Sequence, residues 1–369
     1  MKLFGIVIQY ILLANLLLFP GCENGASSEK EIPDIGFSSI PIYGTTENIE
    51  GFVSGVDISN TKVAVYIFVE GAGWWTKPST ASPQIPINHD RTWCVDVTTG
   101  GSDIYATRFH AFLIPNKFYP PISTGNACLP EQLFTISLAD REALRLQNTV
   151  HFSGYDWYFK NSSTPVGPGP NFFTDNPENV WLDNNQNLHL KITKRGINWY
   201  CPEVILINSL GYGKYLFQLS GNIGRLNKNV VFGIFMWDND ACGVNHREID
   251  IEFSRWSNNL DIMNVQYVIQ PYNLDGNLHR WQIFSEIDSS THFFHWQKNE
   301  VSFLSASGHQ ISEPFESIIH SWNYWRDGIP VPGNETVRLN LWLNNGIPPS
   351  DNQEVEVIIN NFEFIPDNN

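Results

Sequence analysis

Between His246 and Trp256 the chain reads HREIDIEFSRW, and there Glu248, Asp250 and Glu252 alternate with Ile249, Ile251 and Phe253. β-Branched and aromatic residues in one phase and carboxylates in the other mark a strand with one apolar face. Side chains alternate sides, so the three carboxylates share a face, about 6.6 Å from one to the next. Like charges at that spacing repel, and a merely solvated face would be served as well by mixed polar residues. His246 is in phase with the acids, but donors spread over about 20 Å of strand cannot converge on one metal ion. Carboxylate catalysis fits better. In a regular strand Glu248 and Glu252 lie about 13 Å apart at Cα, and side chains leaning together leave about 5–6 Å between carboxyls. Retaining glycoside hydrolysis uses a pair about 5–5.5 Å apart, one as nucleophile and the other as acid and then base. Asp250 would lie beneath the gap, hydrogen-bonding one Glu and separating the two titrations. Spacing alone leaves open which Glu takes which part. No Gly-x-Ser-x-Gly elbow, phosphate loop or His-Glu-x-x-His motif competes with this reading.

Short β runs surround the acidic one. From about 149 to 369 they include NLHLKIT, GKYLFQLS, NVVFGIFMW, MNVQYVIQ, THFFHWQ, EVSFLS, TVRLNLWL and EVEVIINNFEFI, with no long helical pattern among them. Nine or more strands in this length predict two stacked antiparallel sheets, an all-β jelly roll or a similar sandwich. A smaller β-sandwich-like domain is expected over 41–137, from KVAVYIFVE, RTWCVDVTTGG and TRFHAFLIP. ADREALRLQ suggests a helical connector over 138–148, and the polar, small residues of 23–40 suggest a linker. Trp74 and Trp75 suit core packing better than a sugar platform. His110, His189 and His295 read as structural.

The net charge of −16 argues against nucleic acid and anionic headgroups as partners, whereas a neutral ligand is indifferent to it. Charged residues make up only 16% of the chain and aromatic residues 14%, a balance that suits sugar binding and an aromatic-rich sandwich core alike. The N-terminus has one Lys, an apolar run from Leu3 to Phe19, then Pro20-Gly21-Cys22, the pattern of an export signal ending in a lipidated cysteine. The protein is therefore expected to be exported and held to a membrane only by a lipid on Cys22. Four cysteines remain, and pairing within each half predicts Cys94 with Cys128 and Cys201 with Cys242. They lack the spacing of a zinc site.

The Glu-x-Asp-x-Glu of EIDIEF, preceded by NVWLDNNQNLHLKI, YCPEV, GYGKYLFQL and VVFGIFMW and followed by NVQY, THFFHW and VRLNLW, resembles glycoside hydrolase family 16 over about 150–367. The order of these segments is similar to that of the bacterial lichenase branch. The resemblance implies a jelly roll that binds a β-glucan on one sheet, with Glu248 as nucleophile, Glu252 as general acid/base and Asp250 assisting. It places Glu203, Phe235 and Trp342 as candidate sugar contacts; Trp237 and Gln266 are further candidates, and Trp181 another if it lies on the cleft sheet. The implied activity is retaining endo-hydrolysis of β-1,3-1,4- or β-1,3-linked glucans at the cell surface, by a monomer needing no cofactor. The chain departs from the family pattern at Ile205, where an Arg is usual, at Val268 and Gln270, where Asn and Tyr are usual, and just before the motif, where a Trp is usual. Asn361 stands where the family often has a calcium-binding Asp, which leaves a structural calcium open. The lost subsite residues leave a second reading, a non-catalytic glycan-binding or adhesion lipoprotein on the same fold.

Overall fold

The computed structural model describes residues 31–145, 147–311 and 315–367. The lipidation candidate Cys22 lies outside them, as do residues 23–30 of the expected linker.

The larger unit is a sandwich of two sheets, the architecture the strand pattern predicts. One sheet is antiparallel, in the order Leu278–Trp281, Val265–Ile269, Ile249–Phe253, Val230–Trp237, Thr336–Leu343, Glu203–Leu206, Tyr155–Phe159 and Thr149–Phe152. The period-two patterns decide which face turns inward. Ile249, Ile251 and Phe253 are fully or almost fully buried, as are Phe232, Ile234 and Met236, and Val337, Leu339 and Leu341. They pack on Leu188, Leu190, Tyr215, Phe217, Phe294 and Phe362 from the second sheet. Burying each such side chain is worth about 1.5–3 kcal/mol, so a one-residue slip that turned this set outward would be heavily penalised. Register fixed in this way presents Glu248, Asp250 and Glu252 on the opposite face. Trp181 is not on that sheet. It lies on Val180–Leu182, which pairs with Leu188–Arg195 of the second sheet, and it stacks on His189 at 4.6 Å.

The smaller unit stacks a three-stranded sheet (Asp34–Ser39, Ile49–Ser54, Thr92–Val95) on a five-stranded one (Thr124–Asn126, Gly73–Lys77, Thr61–Val69, Arg108–Pro115, Ala139–Leu144). Ile35, Ile49 and Trp93 face Val63, Val65, Ile67 and Phe109 in one core. Thr61–Val69 reads as a continuous apolar run because both its faces are covered, the second, which carries Tyr66 and Phe68, by Leu133, Phe118 and Leu129. Trp74 is a core residue, and His110, His189 and His295 are paired with Asp140, Glu356 and Asp367.

Three expectations are corrected. Residues 34–39 of the expected linker form a strand, because Ile35 is buried. The expected helix over 138–148 is instead the edge strand Ala139–Leu144, paired along Arg108–Pro115, and the helix lies earlier, at Glu131–Ile136. The cysteines join across the two units, Cys128 to Cys242 with Cα atoms 6.1 Å apart, leaving Cys94 exposed and Cys201 buried as free thiols.

Candidate active site

Register builds the site row by row. Glu252 stands opposite Gly233, Gly233 opposite Asn340, and Asn340 opposite Glu203. The next row runs Asp250, Phe235, Arg338, Ile205 and Tyr158. These rows floor a cavity of about 460 Å³ that Glu248, Asp250, Glu252, Phe235, Trp237 and Trp342 line. Gly233 keeps the floor low between Glu252 and Asn340, since a Cβ there would lie 2.5 Å from Asn340 Oδ1. That oxygen is buried without a hydrogen-bond partner among the described residues.

The acids are held from both sides. Gln266 donates to Glu252 from Nε2 at 2.7 Å and is itself fixed by Trp256 Nε1 at 3.1 Å. Gln266 therefore orients Glu252, a different part from the expected sugar contact. Gln270, which looked like a loss in the sequence, donates to Asp250 Oδ2 at 3.1 Å. Val268 lies opposite Asp250 and is buried. Asp250 also hydrogen-bonds Glu248. His246 is off the strand, in three successive left-handed residues (Asn245, His246, Arg247), and it stacks on Trp237 at 3.9 Å.

Burial pushes the Glu248 carboxyl up to about 8, helped by the charge of Glu252, and pushes Glu252 up to about 7. Asp250 is raised well above its ordinary value by burial and by both neighbours. Groups so close titrate as one unit, so at neutral pH the cluster holds fewer than three negative charges and retains a proton. A carboxyl whose pKa rises on folding holds its proton in the native state while the unfolded chain has lost it, so stability falls as pH rises between the two values. For Glu248 that window runs from its ordinary 4.5 to about 8. Glu248→Gln is accordingly expected to be more stable than the parent at pH 8, on the order of 1 kcal/mol or about 2–4 °C in Tm, and near parity at pH 4.5. Thermal melts at the two pH values check this; an equal offset at both would show that the acid is not desolvated.

Glu203 is 1% exposed, and its carboxylate is occupied by Lys160 at 3.1 Å, Arg338 at 3.4 Å and Asn340 at 3.3 Å. Arg338 meets Ile205 across the strands, so a guanidinium reaches the row from which the usual Arg is missing. The same Arg338 atom bonds Glu70 of the smaller unit at 3.0 Å, and Glu70 also accepts from Tyr158 and Asn239. Sequence reasoning missed Arg338, Lys160 and Glu70. The alternation of TVRLNLWL that turns Trp342 toward the cavity puts Arg338 and Asn340 on the same face, which was the available signal for two of the groove's polar groups. Among the described residues no three His, Cys, Asp or Glu side chains gather as metal ligands, and Asn361 Oδ1 accepts the Ser153 hydroxyl.

No family model matches the chain, and no curated protein matches it. Solved structures with a similar course include a Bacillus licheniformis β-glucanase (16% identity, TM-score 0.43, covering 60% of this chain and 99% of that one). A prokaryotic β-1,3-1,4-glucanase (lichenase) from a mouse hindgut metagenome is 20% identical with a TM-score of 0.44, covering 59% and 98%. An immunostimulatory antigen and pseudo β-1,3-glucanase of Mycobacterium tuberculosis is 19% identical with a TM-score of 0.44, covering 57% and 91%.

Proposed function

We propose that this chain is a retaining β-glucan hydrolase of glycoside hydrolase family 16, acting on β-1,3-1,4- or β-1,3-linked chains. The observation that carries the reading is the set of three desolvated carboxylates on one face of a single strand, flooring a cavity lined by Phe235, Trp237 and Trp342. Aromatic faces suit the C–H faces of sugar rings, and the polar side chains of Asn239, His246 and Asn340 that line the cavity suit their hydroxyls. The roles follow the resemblance and need the shared proton on Glu252: burial raises Glu248 further than Glu252, but the two titrate as one unit, and with a glycosidic oxygen beside Glu252 the ionised Glu248 attacks the anomeric carbon while Glu252 gives its proton to the leaving oxygen. Glu252, now the base, then takes a proton from the water that cleaves the glycosyl ester. Gln266 keeps Glu252 aimed, and Asp250 shares a hydrogen bond with Glu248.

The test is release of reducing sugar from a panel that includes mixed-linkage glucan, β-1,3-glucan, xyloglucan and a sulfated galactan, with the first-formed anomer read by proton NMR. The expected result is β-anomer from the first two substrates. Cleavage of xyloglucan or galactan alone would overturn the substrate, and α-anomer formed first would overturn retention.

A further inference from the structure

Attack at internal bonds, which the resemblance implies, needs a groove open at both ends. Here the cavity runs from the acidic strand across Val230–Trp237 and Thr336–Leu343 to the strand Glu203–Leu206, three inter-strand steps or about 14 Å. There it meets the smaller unit. The turn Glu70–Ala72, between Thr61–Val69 and Gly73–Lys77, and the residues Gly125 and Ala127 line the same cavity. The Gly71 carbonyl accepts the Gly167 amide at 3.0 Å, and Lys160 donates to the Gly167 carbonyl at 2.6 Å. Contact is close enough that a Cβ on Gly71, which is left-handed at φ +73°, would lie 2.3 Å from Gly167 O.

Beneath the turn, Glu70 is 2% exposed and bonded to Arg338, Tyr158 and Asn239. Nor can the wall swing aside easily. Cys128, next to Ala127, is covalently joined to Cys242, six residues before Glu248 in the chain, and Arg108 pairs with Asp240 at 2.7 Å. On the other flank the row from Glu252 continues through Gln266 and Arg280 to the edge strand Leu278–Trp281, and among the described residues those that line the cavity reach no further than the acidic strand on this side, with the smaller unit's lining residues 70–73, Gly125 and Ala127 drawn from its own turn and edge.

We infer that the N-terminal domain makes the groove one-ended, so that the protein removes short saccharides from the non-reducing ends of β-glucan chains; this rests on the hydrolase reading above. The order of the covalent steps sets the direction. The bond from Glu248 to the anomeric carbon forms as the bond to the leaving oxygen breaks, with the proton coming from Glu252, and the aglycone must depart before water takes its place. An aglycone held in the blind end would be shut in by the polymer covalently fixed in the mouth. A glycone held there leaves the mouth to the departing chain and then to water. The blind end therefore receives the non-reducing terminus, and a cavity of about 460 Å³ has room for a short saccharide.

The test uses the full chain and β-glucan oligosaccharides in three forms: native, alkylated at the terminal non-reducing hydroxyls, and reduced to the alditol. Binding is measured by calorimetry with Glu248→Gln and cleavage with the parent protein. The native and alditol forms should behave alike, and the alkylated form should bind about 100-fold or more weakly and be cut correspondingly slowly. On polymer, reducing ends should accumulate with little early fall in viscosity. Equal binding of the alkylated and native forms would overturn the one-ended groove and leave the hydrolase reading standing. Preferential loss with the alditol would reverse the direction and overturn the proposal, and no binding of any form would overturn both readings.

Discussion

Glu248→Gln and Glu252→Gln are each expected to lower glucan hydrolysis by several orders of magnitude, while glucan binding survives. An amide can neither attack the anomeric carbon nor give up an acidic proton, and each carboxyl is needed in both halves of a double displacement. The Ala variants separate the two roles. An activated aryl glycoside has a leaving group that departs with little acid help, so Glu252→Ala should regain its glycosylation step on that substrate and Glu248→Ala should not. Added azide should rescue both with opposite stereochemistry. In Glu248→Ala it attacks the free anomeric centre and gives inverted product; in Glu252→Ala it attacks the glycosyl-enzyme and gives retained product. Initial rates and the anomeric configuration of the glycosyl azides are the measurements. Wild-type-like hydrolysis by either Gln variant would sink the assignment of roles. A parent protein that binds β-glucan without cutting it would favour the adhesion reading.

What the sequence reveals about this site follows from where alternation is enforced. EIDIEF, VVFGIFMW and TVRLNLWL each have one phase buried against a second sheet, so their period of two survives folding and predicts the groove face. Arg338 was visible in that phase, but a single Arg on a strand reads as a solvent-facing residue until its partners are known. Its partner Glu70 lies 268 positions away, in a turn of another domain, and no local pattern carries such a contact. ADREAL has helix-forming composition and still becomes a strand. Arg108–Pro115 would otherwise expose an unpaired edge, and hydrogen bonds along that edge outweigh a weak intrinsic preference. Pairing the cysteines within each half assumed independent domains, whereas Cys128 and Cys242 lie where the two domains share one cavity.

Arg338→Met is expected to destabilise the protein by about 3–5 kcal/mol, a fall in Tm on the order of 10 °C, although Met conserves most of the side chain's volume. The reason is charge and not packing. Arg338, Lys160, Glu70 and Glu203 are each at most 4% exposed and together sum to zero charge. Burial alone would raise the Glu70 carboxyl, but Arg338 and then Lys160 outweigh it and hold the group below its ordinary value. Removing Arg338 leaves two buried carboxylates against one ammonium, with the Asn239 side-chain oxygen also losing a donor. Glu70→Gln in the same chain removes the excess negative charge and keeps an acceptor for Tyr158. The double variant Glu70→Gln/Arg338→Met should therefore be more stable than Arg338→Met alone, with a coupling energy of about 1–3 kcal/mol in a double-mutant cycle read by denaturant unfolding. Additive single effects would show that the pair is independently solvated and that the junction between the domains is not held by this charge cluster. A cooperative result would place the strongest polar contact between the two domains at the blind end of the groove, where a loosened wall would also lengthen the saccharides the protein can accept.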